Sequence, residues 1–139
     1  MPGNPPVGLS VLVIEDDDDI RSLVVFRLER SGVTVQQASD GESGLAAVAA
    51  LRPDVVLLDW MMPGIDGLEV CRRLRADPAT AALPVVLLTG RAREADAERG
   101  LGAGADAYVA KPFSQLELLE AIRSALAARG SEGAAAIEP

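Results

Sequence analysis

At 139 residues, 49% of them hydrophobic, the chain is long enough for one domain with its own core and too short for two, and no apolar run approaches the roughly 20 residues that cross a bilayer. The net charge of -8 argues against this segment gripping a phosphate backbone, so no direct nucleic-acid binding is expected of it. Histidine is absent, which removes imidazole acid/base chemistry, histidine metal sites and a Ser-His-Asp triad together.

The opening MPGNPPVG lacks the basic residues and apolar stretch of a secretory signal, so residues 1–8 read as a flexible arm and the protein as cytoplasmic. SVLVI (10–14) is the first predicted strand, and the acidic run that follows divides by position. Glu15 and Asp16 finish the strand, Asp17 lies in the turn with no assigned role, and Asp18 or Asp19 is expected to cap the first helix, 18–31. In that helix Ile20, Leu23, Val24 and Leu28 form one apolar stripe, leaving Val25 and Phe26 on the outside as a pair available for contact.

VTVQQA (33–38) gives the second strand and 41–51 the second helix, with Asp40 as its cap. Pro53 stops the chain before DVVLLD (54–59), and the third helix, 67–76, carries Cys71 between Leu68 and Leu74 at buried-face spacing. A single cysteine can form no internal disulfide. Pro84 precedes PVVLLT (84–89). The fourth helix, 92–101, is weakened at its end by Gly100, Gly102 and Gly104, each costing about 1 kcal/mol relative to alanine if helical, and is a candidate for movement. AYVA (107–110) is the fifth strand, and Ser114 with Glu117 makes a capping box for the fifth helix, 114–129. The tail, 130–139, has no apolar period and reads as a flexible linker or frayed end.

Five β-α units in succession, three of whose strands are apolar at every central position, predict a three-layered α/β domain around a parallel sheet. Ligands of such sheets bind beyond the carboxyl ends of the strands. The first strand ends in Glu15 and Asp16, the third in Asp59, the fourth in Thr89 and the fifth in Lys111, the only lysine of the chain. Three carboxylates brought together repel one another unless a cation intervenes, and a hard divalent ion such as Mg2+ suits carboxylate oxygens. One carboxylate could then attack a phosphoryl group, with a hydroxyl and an ammonium holding the remaining oxygens. That is the pattern of a phospho-acceptor site.

The stretches VLVIEDD, VVLLDWMMPGIDGLEVCRRLR, PVVLLTG and GADAYVAKPF resemble the receiver domains of two-component response regulators, which share a chemotaxis-regulator-like fold. The resemblance covers residues 9–129. It implies a (βα)5 doubly wound five-stranded parallel sheet of order 2-1-3-4-5 with helices on both faces. Asp59 resembles the phosphorylated aspartate. Glu15 and Asp16 resemble the acid pair that binds Mg2+, Asp16 most directly, with Asp59 and the backbone carbonyl of Met61 completing the protein ligands; Mn2+ can substitute. Thr89 and Lys111 resemble the residues that bind the phosphoryl oxygens, and Tyr108 the aromatic residue that turns inward as the threonine moves. The Lys111-Pro112 bond is expected to be cis. Family members take the phosphoryl group from a sensor histidine kinase or phosphotransfer protein, hydrolyse it slowly themselves, and signal through the surface of the fourth helix, fifth strand and fifth helix. Where one class of receivers carries charged residues for salt bridges across a dimer at that surface, this chain has Ala97, Gly102 and Ala121, so a homodimer there has no support in the sequence.

Other readings fit less well. GLGAGA matches a dinucleotide-binding fingerprint but follows a helix and precedes a strand, the reverse of the required context. Five acids at the first turn would repel a flavin phosphate. An aspartate-nucleophile phosphatase resembles DxD after its first strand, whereas Asp59 is followed by Trp60 and Met61. A receiver-like interaction module that works without phosphorylation has no need of all five rim residues.

Overall fold

The structure, a computed structural model, describes residues 8–90 and 99–130. The expected arm up to residue 7, the tail beyond 130, and most of the expected fourth helix with Ala97 lie outside the described residues. In chain order the elements are β1 (Ser10–Ile14), α1 (Asp18–Arg30), β2 (Thr34–Ala38), α2 (Gly41–Leu51), β3 (Val55–Asp59), α3 (Gly67–Ala76) and β4 (Val85–Thr89). A helical turn at 99–102, α4, is followed by β5 (Ala107–Ala110) and α5 (Gln115–Ala128).

The strands form one parallel sheet in the order β2-β1-β3-β4-β5. Side chains alternate across a strand, and here both faces are apolar. Val11, Val13, Val55, Leu57, Val86 and Leu88 meet Val24 and Leu28 of α1 and Leu118, Ile122 and Leu126 of α5 on one face. Leu12, Ile14, Val56, Leu58, Val85 and Leu87 meet Val48 of α2 and Leu68, Cys71 and Leu74 of α3 on the other. Cys71 is fully buried, and burial pushes its thiol up to about 11, which leaves it inert as a nucleophile at neutral pH. Ser114 and Glu117 form the reciprocal capping box, Asp40 caps α2, and the Lys111-Pro112 bond is cis.

Two local expectations are corrected. Asp17, not Asp18 or Asp19, caps α1: its carboxylate accepts from the Ile20 amide at 2.9 Å. The turn after β1 is one residue shorter than expected, so Asp18 already has helical geometry; it pairs with Arg21 instead. The apolar stripe of α1 is also rotated. Val24 and Leu28 are buried, Ile20 and Val25 pack against the core partly buried, and Leu23 is 45% exposed. At about 100° per residue, Val25 lies about 80° from the centre of the Val24/Leu28 face and Leu23 about 120°. Of the pair expected outside, only Phe26 is strongly exposed, with the Arg30 guanidinium over its ring.

Candidate functional site

The site is built by strand ends. Parallel pairing in register places Asp59 opposite Leu88, one residue before Thr89, and Thr89 opposite Ala110, one residue before Lys111. Glu15 follows β1 directly and its amide donates to the Ala38 carbonyl of β2 at 3.1 Å, which holds it in line with the strand. The Lys111 amide donates to the Thr89 carbonyl at 2.7 Å and so prolongs the β4–β5 ladder by one residue. Four strands thereby bring Glu15, Asp16, Asp59, Thr89 and Lys111 to one rim.

Glu15, Asp59 and Thr89 are buried, with 1%, 4% and 2% exposure. One carboxylate oxygen from each of Glu15, Asp16 and Asp59 lies within 4.8 Å of the others, Asp16 from an exposed position. The Lys111 ammonium donates to Glu15 Oε1 and Asp59 Oδ1, each at 2.9 Å. The other Glu15 oxygen accepts from the Asp17 amide at 3.2 Å. Burial, with the charge of Asp59 adding to it, outweighs these bonds and pushes the Glu15 carboxyl up to about 7 from an ordinary 4.5. Burial works against the Lys111 ammonium, but its bonds to Asp59 and Glu15 prevail and raise it above its ordinary value.

Three carboxylate oxygens brought this close, two of them from buried acids, form a hard donor set that fits a divalent cation. Met61 sits on the loop after β3, its side chain 57% exposed. Tyr108, on β5 opposite Leu87 of β4, is 41% exposed. Beside Lys111 an apolar recess is lined by Ile20, Leu23, Arg27, Lys111, Pro112 and Phe113.

Three supports of the site were not among the expected residues. Arg21, its side chain mostly buried, donates to the Glu15 carbonyl at 2.8 Å and to Gln37 Oε1 at 3.2 Å, bracing the end of β1 against β2; no local pattern marks it. Asp66 caps α3 through the Glu69 amide at 2.9 Å, and here the signal was present, as an acid followed three residues later by glutamate before an apolar run. Trp60, 3% exposed, follows Asp59 into the core, with the Arg99 guanidinium 5.7 Å from its ring.

Comparison with known proteins agrees with this geometry. A family model described as response regulator receiver domain matches residues 11–123. The chain is 45% identical over 116 residues to the DNA-binding dual master transcriptional regulator RpaA of Synechocystis sp., a match covering 84% of this chain and 48% of that protein. It is 46% identical over 123 residues to the transcriptional regulatory protein CseB of Streptomyces coelicolor, covering 88% of this chain and 51% of that one. The chain thus spans about half the length of the curated relatives it matches. Among solved structures, the Francisella response regulator 1452 receiver domain superposes with a TM-score of 0.78 at 31% identity, over 90% of this chain and 98% of that one. Chemotaxis response regulator CheY4 of Vibrio cholerae gives 0.80 at 29% identity, over 87% of this chain and 100% of that one. With the matched segment running from β1 into α5 and taking in every strand end that forms the rim, the chain belongs to the response regulator receiver domain family of two-component systems.

Proposed function

We propose that Asp59 accepts a phosphoryl group from a phosphohistidine on a sensor histidine kinase or phosphotransfer protein, in a Mg2+-dependent reaction in the cytoplasm. The observation that carries this reading is the bridging of Glu15 and Asp59 by the Lys111 ammonium at one rim. A buried acid held beside a second acid and a fixed cation, with a buried hydroxyl at the next strand end, is a nucleophile provided with charge balance for an incoming phosphoryl group.

An Asp59 carboxylate oxygen forms a bond to phosphorus as the P–N bond to the donor imidazole breaks, and the electron pair of that bond stays on the imidazole nitrogen. The product on this chain is an aspartyl phosphate. Held by Glu15, Asp16, Asp59 and the Met61 carbonyl, Mg2+ would neutralise charge on the phosphoryl oxygens. Lys111 keeps its proton throughout and offers N–H donors to the same oxygens as it leaves the carboxylates. The Thr89 hydroxyl binds another phosphoryl oxygen, and Tyr108 turns from its exposed position toward the space beside it. Attack of water on phosphorus later breaks the acyl phosphate and regenerates Asp59 slowly.

The consequence is a population shift at the surface of α4, β5 and α5, which signals to a partner or effector. A relative matched over about half its length is a DNA-binding regulator, which supports output through a separate effector and not through this acidic domain. Incubation with acetyl phosphate tests the proposal: phosphoryl incorporation with Mg2+ or Mn2+, and none in excess chelator, is expected. Incorporation that ignores the chelator would refute it.

A further inference from the structure

We propose that Gly67 is a positioning residue for the acceptor site: its lack of a side chain lets the first turn of α3 seat on the backbone of Asp59 and Trp60. A Cβ at this position would lie 2.4 Å from the Asp59 carbonyl oxygen, 2.9 Å from Trp60 Cα and 3.1 Å from the Asp59 carbonyl carbon. These are backbone atoms, so nothing can rotate aside. Gly41 and Gly44 differ in this respect, because a Cβ at either would meet the side chains of Ile65 and Val70 or of Ile14, which can re-orient. Gly67 opens a helix in ordinary helical conformation, so alanine is allowed there by its backbone angles and is excluded only by the close approach.

The contact is fixed from both sides. The Trp60 amide donates to the Leu88 carbonyl of β4 at 2.9 Å, and the Trp60 carbonyl accepts from the Gly67 amide at 2.9 Å. The Asp66 carboxylate caps the same turn. The loop carrying Met61 is therefore closed at its base, and its position relative to Asp59 is set by how closely residue 67 approaches. Resting on the assignment of Asp59 and Met61 as Mg2+ ligands, the inference adds that Gly67 sets the spacing between them. A methyl group at 67 must push α3 outward or displace Asp59, and either movement spoils the ligand spacing.

Calorimetric titration of Mg2+ alone into wild type, Gly67→Ala and Leu74→Ala tests this, at a temperature where circular dichroism shows each protein folded. Leu74 is buried in the last turn of the same helix, so its truncation loosens α3 without adding an atom near Asp59. Gly67→Ala is expected to bind Mg2+ about 10-fold or more weakly, and Leu74→Ala to bind as wild type does. A second pair covers the case in which Gly67→Ala does not fold. Asp66→Ala, which loses the cap, should bind Mg2+ several-fold more weakly than Asp66→Asn, which keeps a capping oxygen and loses the same charge. Wild-type affinity in folded Gly67→Ala, equal weakening in Leu74→Ala, or equal affinities in the Asp66 pair would overturn the role of Gly67. Absence of Mg2+ binding by the wild type would instead overturn the reading of the site itself.

Discussion

Lys111 Nζ lies 2.9 Å from Asp59 Oδ1, joining the ends of β5 and β3, two strands separated in the sheet by β4. The bond spans 52 positions of sequence and exists because parallel register brings both residues to one rim. The same ammonium also holds Glu15, so one positive charge is shared between two buried acids.

Lys111→Met keeps the aliphatic stem and removes the charge. Phosphoryl incorporation from acetyl phosphate should slow by about 10²-fold, the usual loss when one donor to developing charge is removed, while far-ultraviolet circular dichroism stays unchanged. A rate like that of the wild type would show that the ammonium takes no part.

Glu15 gives a pH dependence whose direction follows from its raised value of about 7 against an ordinary 4.5. The folded state binds a proton more readily than the unfolded state, so stability of the metal-free protein falls as pH rises through that window. Cation binding needs the charged form, so Mg2+ affinity should rise over the same range and level off above it. Thermal unfolding from about pH 5 to pH 8, with and without Mg2+, checks both trends. Glu15→Gln should flatten the metal-free curve; an unchanged slope would remove Glu15 as the cause.

The cap of α1 separates the acids of the run after β1. Asp17→Ala should lower unfolding free energy by about 1 kcal/mol, because the Ile20 amide loses its acceptor. Asp19→Ala, exposed in the first turn, should cost only about 0.3 to 1 kcal/mol through the helix dipole, less at high salt. Urea denaturation of the two variants decides the ranking.

At the amino end of the sheet, the Asp106 carboxylate accepts from the Val85 amide at 2.9 Å, Arg75 Nη2 at 2.9 Å and Arg129 Nε at 2.7 Å. Its side chain is 6% exposed. Asp106→Ala leaves the mostly buried Arg75 uncompensated and should cost about 3 to 5 kcal/mol. Arg129→Ala, at a more exposed pair, should cost about 1 kcal/mol or less. Equal unfolding midpoints for the two variants would contradict this account.

The sheet and the rim were legible in the sequence because both rest on short-range patterns: uninterrupted apolar runs mark strands covered on two faces, and the residue after each run lies at the carboxyl edge. The order of the strands came from resemblance, since periodicity is silent on which strand neighbours which. Asp17 was misassigned because a one-residue change in turn length moves a cap along a row of chemically identical candidates. Leu23 and Val25 were exchanged because counting Ile20 and Leu23 into the stripe turns its centre toward Leu23, whereas the buried pair Val24 and Leu28 puts Val25 nearer the core face than Leu23. Arg21 and the Asp106 network act through contacts with distant segments, and Gly67 acts through close approach to the Asp59 and Trp60 backbone across one loop; no local pattern encodes either.

The central claim is that Asp59 is the phosphoryl acceptor. Intact-mass measurement of wild type and Asp59→Asn after incubation with acetyl phosphate and Mg2+ tests it most directly. The account predicts the mass of one phosphoryl group added to wild type and none to Asp59→Asn, both proteins being folded. Equal incorporation by the two, or none by wild type, would contradict it.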